Sequence, residues 1–205
     1  MFPILVLVML ASAAFHANAA DPLPYASLLS RLVTETGVRW DRFGEEEKKL
    51  LAQALDTSAK ETPSLRKTPD DQLAFWINAH NVCAMKLIAD RLPLTDVMKI
   101  SGFRDMLKCA VAGQERSLID IQSGVIRPMF AEPRTTFALW WGVKGGPRLL
   151  GFPYDGPVLK KQLADQTARA LKDPSFVNVS DPSGKILVSP LFDWYYRRFS
   201  HQRSL

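Results

Sequence analysis

Asn78, His80 and Asn81 sit inside an apolar run, FWINAHNVCAMKLIA, that contains neither Pro nor Gly. Polar groups of this kind are costly to bury without partners, so each is either tied down or used. His80 lies three residues from Cys83, and thiol–imidazole chemistry needs a thiolate-prone Cys beside a positioned ring. On one helix the two side chains diverge by roughly 60°. Both also lie mid-helix, away from an N-terminus that could lower the thiol pKa. The competing reading makes His80 a partnered imidazole in the core. For the asparagines the alternatives are buried amides tying a helix to neighbouring backbone, or polar groups lining a cleft.

Metal chemistry needs three or four His, Cys, Asp or Glu ligands at workable spacing. Beyond the first twenty residues only His80 and His201 remain, far apart and without an acidic cluster beside them, so neither a metal nor a cofactor is expected. No G-x-G-x-x-G, G-x-S-x-G or Walker sequence occurs. Val143–Gly156 is rich in Gly and Pro and too long for a plain connection, a length at which loops are often functional. Within it Lys144 and Arg148 flank Gly145-Gly146-Pro147, a set that could hold an anion through backbone amides and two cations. A solvated loop is the competing reading. If strand-borne, Trp140 and Trp141 alternate faces, one packing in the core and the other covering a site or offering an aromatic surface.

The elements that must position these residues follow from periodicity and breakers. Leu28, Leu29, Leu32 and Val33 predict a helix over Tyr25–Gly37, with Gly37 as its stop. Val38–Phe43 reads as an extended link. Glu45–Lys60 reads as a second helix with acidic residues in its first turn, and Thr62–Pro69 as a loop. The central helix is Asp70–Leu92, ended by Pro93. Its apolar residues cover most sides, the pattern of an enclosed helix. Gln72, Ala79, Cys83, Lys86 and Asp90 share its more polar strip.

Leu94–Ile100 is a brief helix in this reading. Met106–Ala112 and Glu115–Leu118 are two strands about a turn, and Ser117 caps a helix from Leu118 that ends before Pro128. Thr135–Trp141 has the composition of a buried strand. Pro157–Lys172 is an amphipathic helix, Phe176–Val179 and Ile186–Val188 are strands, and Pro190–Phe199 is a closing helix. The fold class is α+β: a helical N-terminal half with a long central buried helix, packed on a small, mainly antiparallel sheet.

The chain of 205 residues is 47% hydrophobic and 23% charged, which suits a globular domain rather than a disordered chain. MFPILVLVMLASAAFHANAA has an apolar run followed by Ala17-Asn18-Ala19, the small-residue pattern of a signal-peptidase site. The run is short for a membrane span, which needs roughly 20 apolar residues. The expectation is a signal peptide over 1–19, cleaved near Ala19, and a single domain over 20–205, periplasmic or secreted and without a transmembrane span. A retained anchor is the alternative. Cys83 and Cys109 are the only cysteines, and an oxidising compartment permits one bridge between them. Two buried free thiols are the other possibility. The net charge of +5 suits an envelope protein or an anionic envelope polymer as partner. The cluster Arg197, Arg198, His201 and Arg203 either complements a helix C-terminus or is simply solvated, and nucleic acid is the least expected partner.

FWINAHN (75–81), SLIDIQ (117–122), FAL with a later GPRL (137–139 and 146–149) and LFDWYYRRF (191–199) occur in that order. The set resembles the domain of unknown function 547 family, whose members typically read Phe-Trp-Ile-Asn-Ala-Tyr-Asn, Ser-Leu-Asp-Asp-Ile-Glu, His-Phe-Ala-Leu-Asn-Cys with a later Ser-Cys-Pro, and a closing Leu-Phe-Lys-Trp-Tyr. The departures are informative. Where the resemblance implies His, this chain has Thr136. Where it implies Asn-Cys it has Trp140-Trp141, and Gly145-Gly146-Pro147 stands for the Ser-Cys-Pro loop. Gln122-Ser123 replaces a Glu often followed by His. Trp is neither acid, base nor nucleophile at neutral pH, and Gln cannot take a proton as Glu can.

These replacements point to an exported, non-catalytic binding or structural envelope protein, with no catalytic or metal-binding residue assigned. The cleft or binding candidates are Asn78, His80, Asn81, Gln122, Trp141, Lys144 and Arg148. The alternative is a hydrolase or transferase with an atypical cleft near the central helix.

Overall fold

A computed structural model describes residues 23–179, 184–189 and 192. The expected signal peptide, the closing helix Pro190–Phe199 and the basic C-terminal cluster lie outside the described residues, apart from Phe192. The fold is α+β: among the described residues there are five α-helical segments, α1 (Pro24–Leu32), α2 (Glu45–Lys60), α3 (Pro69–Ala89), α4 (Arg127–Met129) and α5 (Leu159–Lys172), with short antiparallel ladders. The expected single sheet is instead three separate two-stranded ladders: β1 (Val33–Thr34) with β2 (Gly37–Val38), β3 (Lys108–Val111) with β4 (Gln114–Ser117), and β5 (Val177–Asn178) with β6 (Leu187–Val188). Among the described residues, no helix is long and apolar enough to cross a membrane.

The long helix α3 is the centre. Pro69 occupies its first turn, where a missing N–H costs nothing. Thr68 and Asp71 cap it reciprocally: the Asp71 N–H donates to Thr68 Oγ1 at 3.0 Å, and the Thr68 N–H donates to Asp71 Oδ2 at 3.2 Å. Fourteen of its residues, from Leu73 to Ile88, are buried. Cys83, placed by periodicity near a polar strip, is fully buried and bonded to Cys109 of β3. Only the part of that strip around Ala79 and Cys83 is covered, by α2 and β3, while Gln72 and Lys86 are half-buried and Asp90 is exposed. Ala112 and Gly113 form the two-residue hairpin turn with φ of 50° and 73°. Their N–H groups donate to Ser58 O at 2.9 Å and Ala59 O at 2.8 Å, satisfying carbonyls at the C-terminal end of α2. The bridge closes a 26-residue separation, worth about 3–4 kcal/mol by the chain-entropy estimate.

Several expectations are corrected. The first helix stops at Leu32, because β-branched Val33 and Thr34 leave it to pair with Val38 and Gly37, the latter at φ 129°. The links Val38–Phe43 and Thr62–Pro69 hold 3₁₀ turns at Trp40–Arg42 and Pro63–Leu65, and the brief helix expected over Leu94–Ile100 is a single 3₁₀ turn, Val97–Lys99. The helix capped by Ser117 does not end before Pro128. It widens into a π-helical segment, Asp120–Ile126, and continues as α4. Pro128 has no N–H, and its ring would meet the carbonyl four residues back in an α-helix; the wider turn relieves that clash. Thr135–Trp141 is not a strand. Pro133–Phe137 is a 3₁₀ helix capped by Glu132, and the backbone after it pairs with a side chain of α3 instead of a ladder. Trp140 and Trp141 therefore do not alternate between core and surface: both are buried.

The 3₁₀ turn Gly156–Val158 packs directly on the first turn of α3. A Cβ on Gly156 would lie 2.8 Å from Asp71 Cα and 1.9 Å from its Oδ1, an oxygen whose carboxylate is committed to the cap. Gly156→Ala is expected to cost about 2 kcal/mol, as overpacking does. Gly151→Ala, with nothing within 4 Å of the added carbon, should stay within about 0.5 kcal/mol. Urea unfolding of the two variants checks both.

Candidate functional site

An asparagine amide offers one acceptor oxygen and a donor nitrogen, the same pair that a strand neighbour offers. Asn78 uses both on one residue: its Nδ2 donates to Tyr154 O at 2.8 Å, and its Oδ1 accepts the Tyr154 N–H at 2.9 Å. Asn81 does the same one turn on, donating to Ala138 O at 3.0 Å and accepting the Trp140 N–H at 2.8 Å. Spaced three apart on α3, the two amides fasten two different irregular segments to the same helix. Their polarity inside an apolar run left two readings open, amides paired to backbone or polar groups lining a cleft; the pairing is found for both, and Asn78 also lines a cavity.

His80 is fully buried. Its Nδ1 lies 3.2 Å from Asn81 Oδ1. A carbonyl oxygen can only accept, so Nδ1 carries the proton and Nε2 is a bare acceptor, without a partner among the described residues. The ring meets Trp141 edge-on, with centroids 4.8 Å apart. Burial pulls its pKa down to about 4, against the smaller upward pull of the Asn81 hydrogen bond. At neutral pH the imidazole is uncharged and closed off from solvent. Its potential thiol partner is consumed, because Cys83 is held in the bond to Cys109. Gln122 and Thr136 are buried too, and Gln122 Oε1 and Thr136 Oγ1 have no hydrogen-bond partner among the described residues. Arg104 lies over the Trp141 ring at 5.4 Å.

Lys144 and Arg148 separate in role. Arg148 is committed: it pairs with Asp173 at 2.8 Å and 2.6 Å, and donates to the Glu35 carbonyl. Burial pushes the Asp173 carboxyl up, but hydrogen bonds from Ser175 and Arg148 outweigh it, leaving the group below the usual carboxylate range. Lys144 is exposed and in no ion pair among the described residues. Both line an open groove of about 290 Å³ whose walls include Trp40 and Trp140, with ring centroids 6.5 Å apart. From sequence Trp40 reads only as an apolar anchor of the Val38–Phe43 link and Asp173 is not singled out, since nothing local marks either as a groove residue.

A second, more enclosed cavity of about 140 Å³ opens beside the N-terminal half of α3. Asn78 lines it, with Tyr25, Phe75 and Tyr154 as aromatic walls and Arg66 at one side. Burial raises the pKa of both phenols, and Tyr154 adds to the rise at Tyr25. Both therefore stay protonated across the physiological range and can donate hydrogen bonds. Tyr25, Arg66 and Tyr154 come from three distant stretches, and only the fold brings them together. Among the described residues, no three His, Cys, Asp or Glu side chains converge as a metal site would need.

Two outcomes follow. Below pH 6.5 the unfolded chain protonates His80 while the folded chain does not until pH falls to about 4. Stability is therefore lost as pH drops through that window, by up to about 3 kcal/mol. Urea unfolding at pH 7, 5 and 4 should show this loss in the native chain and its reduction in His80→Phe. Asn81→Leu leaves the Ala138 carbonyl and the Trp140 N–H unpaired in the core, and should cost about 3 kcal/mol or more, read as a lower urea midpoint.

The family described as "Protein of unknown function, DUF547" matches residues 42–170, which take in α2, α3, Asn78, Asn81 and most of α5. No match is found among the curated proteins or among the solved structures. Over this majority of its length, the chain belongs to the domain of unknown function 547 family.

Proposed function

We propose that the chain is an exported binding domain of the cell envelope that works without acid–base or thiol catalysis. The observation that carries the reading is the sealed imidazole: His80 is neutral, fully buried and capped by Trp141, at the place where the family resemblance implies polar, reactive groups nearby. A general base must reach the proton it takes, and His80 Nε2 opens onto no solvent. Both cysteines of the chain are spent in one bond, a pairing that suits an oxidising compartment. The binding face in this reading is the groove between Trp40, Trp140 and the Gly/Pro loop. There Lys144 supplies a cation that no described carboxylate offsets, and the ligand is an anionic envelope polymer.

Expression of the full chain in a bacterial host, followed by fractionation and N-terminal sequencing, should yield an exported protein starting at Ala20. Purified, it should leave ester, peptide and glycan substrates unchanged and should co-sediment with anionic wall polymer. Lys144→Glu is expected to weaken that co-sedimentation several-fold. Turnover that disappears in Asn78→Ala while the fold is kept would overturn the reading.

A further inference from the structure

One tryptophan is left open where the others are closed. Of the four tryptophans among the described residues, Trp76, Trp140 and Trp141 are buried, at 6%, 7% and 1% exposure, and Trp40 alone is half-buried. Trp40 meets Phe43 edge-on at 5.6 Å and leans on Trp140 at 6.5 Å, contacts that hold its ring in one place. It lines the open groove at Lys144, whose volume is about 290 Å³. Small-ligand clefts begin at roughly 300 Å³, so the groove takes one ring-sized unit of a longer chain.

Two hydroxyls of the groove fix the hydrogen-bonding character of that unit. Thr34 Oγ1 donates to the Gly37 carbonyl at 3.0 Å, so in the 3.0 Å contact between the Thr34 and Thr36 hydroxyls Thr36 is the donor. Ser175 Oγ donates to Asp173 Oδ1 at 2.7 Å. With its one proton committed, each of Thr36 and Ser175 keeps lone pairs and can only accept from a ligand. Both residues are exposed and both line the groove. A ligand that displaces water from them must bring O–H or N–H donors, which ionised phosphate or carboxylate groups lack. Charge gives the remaining requirement. Among the described residues the lining has two cations, Lys144 and Arg148, and one carboxylate, Asp173, which Arg148 pairs. One positive charge is left over, on Lys144, and it matches one anionic group per unit bound. A pyranose acid meets all three demands. Its C–H face packs on an indole face, where the quadrupole is negative, its hydroxyls donate, and its carboxylate complements the cation.

We propose that the groove recognises an acidic glycan through one hexuronate residue, with the sugar face on Trp40, its hydroxyls donating to Thr36 and Ser175, and its carboxylate at Lys144. This rests on the reading of the groove as the envelope-binding face, and it names the polymer as a sugar acid rather than a polyol phosphate. Titration calorimetry of the full chain with oligogalacturonate, oligomannuronate, maltohexaose and polyglycerol phosphate tests it. At least one of the two uronates should bind saturably. Maltohexaose, which lacks the charge, and polyglycerol phosphate, which lacks the ring, should each bind at least about five-fold more weakly, the order of one lost polar contact. Trp40→Leu should weaken uronate binding about ten-fold, as loss of an aromatic anchor does, and leave polyglycerol phosphate unchanged. Thr36→Val, an exposed change, should weaken uronate binding about five-fold and decides the case should Trp40→Leu fail to fold. No saturable binding of either uronate, maltohexaose or polyglycerol phosphate binding as tightly as the uronates, or uronate binding unchanged by Thr36→Val or by a folded Trp40→Leu would each overturn the proposal. The broader envelope reading is decided separately, by co-sedimentation with wall polymer and its weakening in Lys144→Glu.

Discussion

The pairing of two asparagine amides with backbone is the constraint on which the rest of the structure depends. Between the last turn of the π-helical segment and α5 the chain has almost no regular structure, yet it buries Phe137, Trp140, Trp141, Leu149, Leu150 and Tyr154. Buried backbone must find partners, and this stretch has no ladder to supply them. Asn81 serves Ala138 and Trp140, and Asn78 serves Tyr154, so α3 stands in for the missing strand neighbour. The fit is close: Gly142 sits at φ 67°, where an L side chain is strained, and a Cβ there would lie 2.4 Å from Ile88 Cδ1 and push that methyl aside.

The other side of α3 is held by different means. The Cys83–Cys109 bond ties it to β3, and the β3–β4 turn is bonded to the end of α2 through Ala112 and Gly113. Ala112 accepts a left-handed conformation there, which costs an ordinary residue of order 1 kcal/mol, and the hydrogen bond to Ser58 holds it in place. A helix fixed by a covalent bond on one side and by amide clamps on the other is a rigid frame. The cavity and the groove are both borne on that frame, the first against α3 itself and the second on the segment that Asn81 fastens.

What could be read from sequence divides by the range of the interaction responsible. Glu45–Lys60 is a helix with the bounds its acidic first turn and periodicity indicate, and α3 differs from its expected span by a few residues, since caps and breakers are local. Thr135–Trp141 was misread because a buried, aromatic, β-branched run looks the same whether a strand or a side chain pairs its backbone, and the partner here, Asn81, is far away in sequence. Cys83 was assigned to a polar strip because Lys86 and Asp90 share its helical direction. Those two residues lie beyond the edge of the covering hairpin, while Cys83 lies under it. The polar residues Asn78, His80 and Asn81 were legible as a set, from polarity inside an apolar run. Tyr25, Arg66 and Tyr154 were not, because a cavity between three elements leaves no trace in any one of them.

His80 shows how packing and chemistry trade against each other at the family-type site. An imidazole in a position where the family resemblance implies a tyrosine keeps one hydrogen bond, from Nδ1 to Asn81, and leaves Nε2 with none. The ring is accommodated by Trp141, whose edge-on contact is the kind aromatic pairs favour. Arg104 then lies over the indole, and a guanidinium on an aromatic face is stabilised by the ring quadrupole. Burial keeps the imidazole neutral against the smaller upward pull of the Asn81 hydrogen bond, and the aromatic contacts close the space around it. A residue type that elsewhere titrates near neutrality is held uncharged, and the exposed cation of the candidate set, Lys144, stands apart from it in the groove at Trp40.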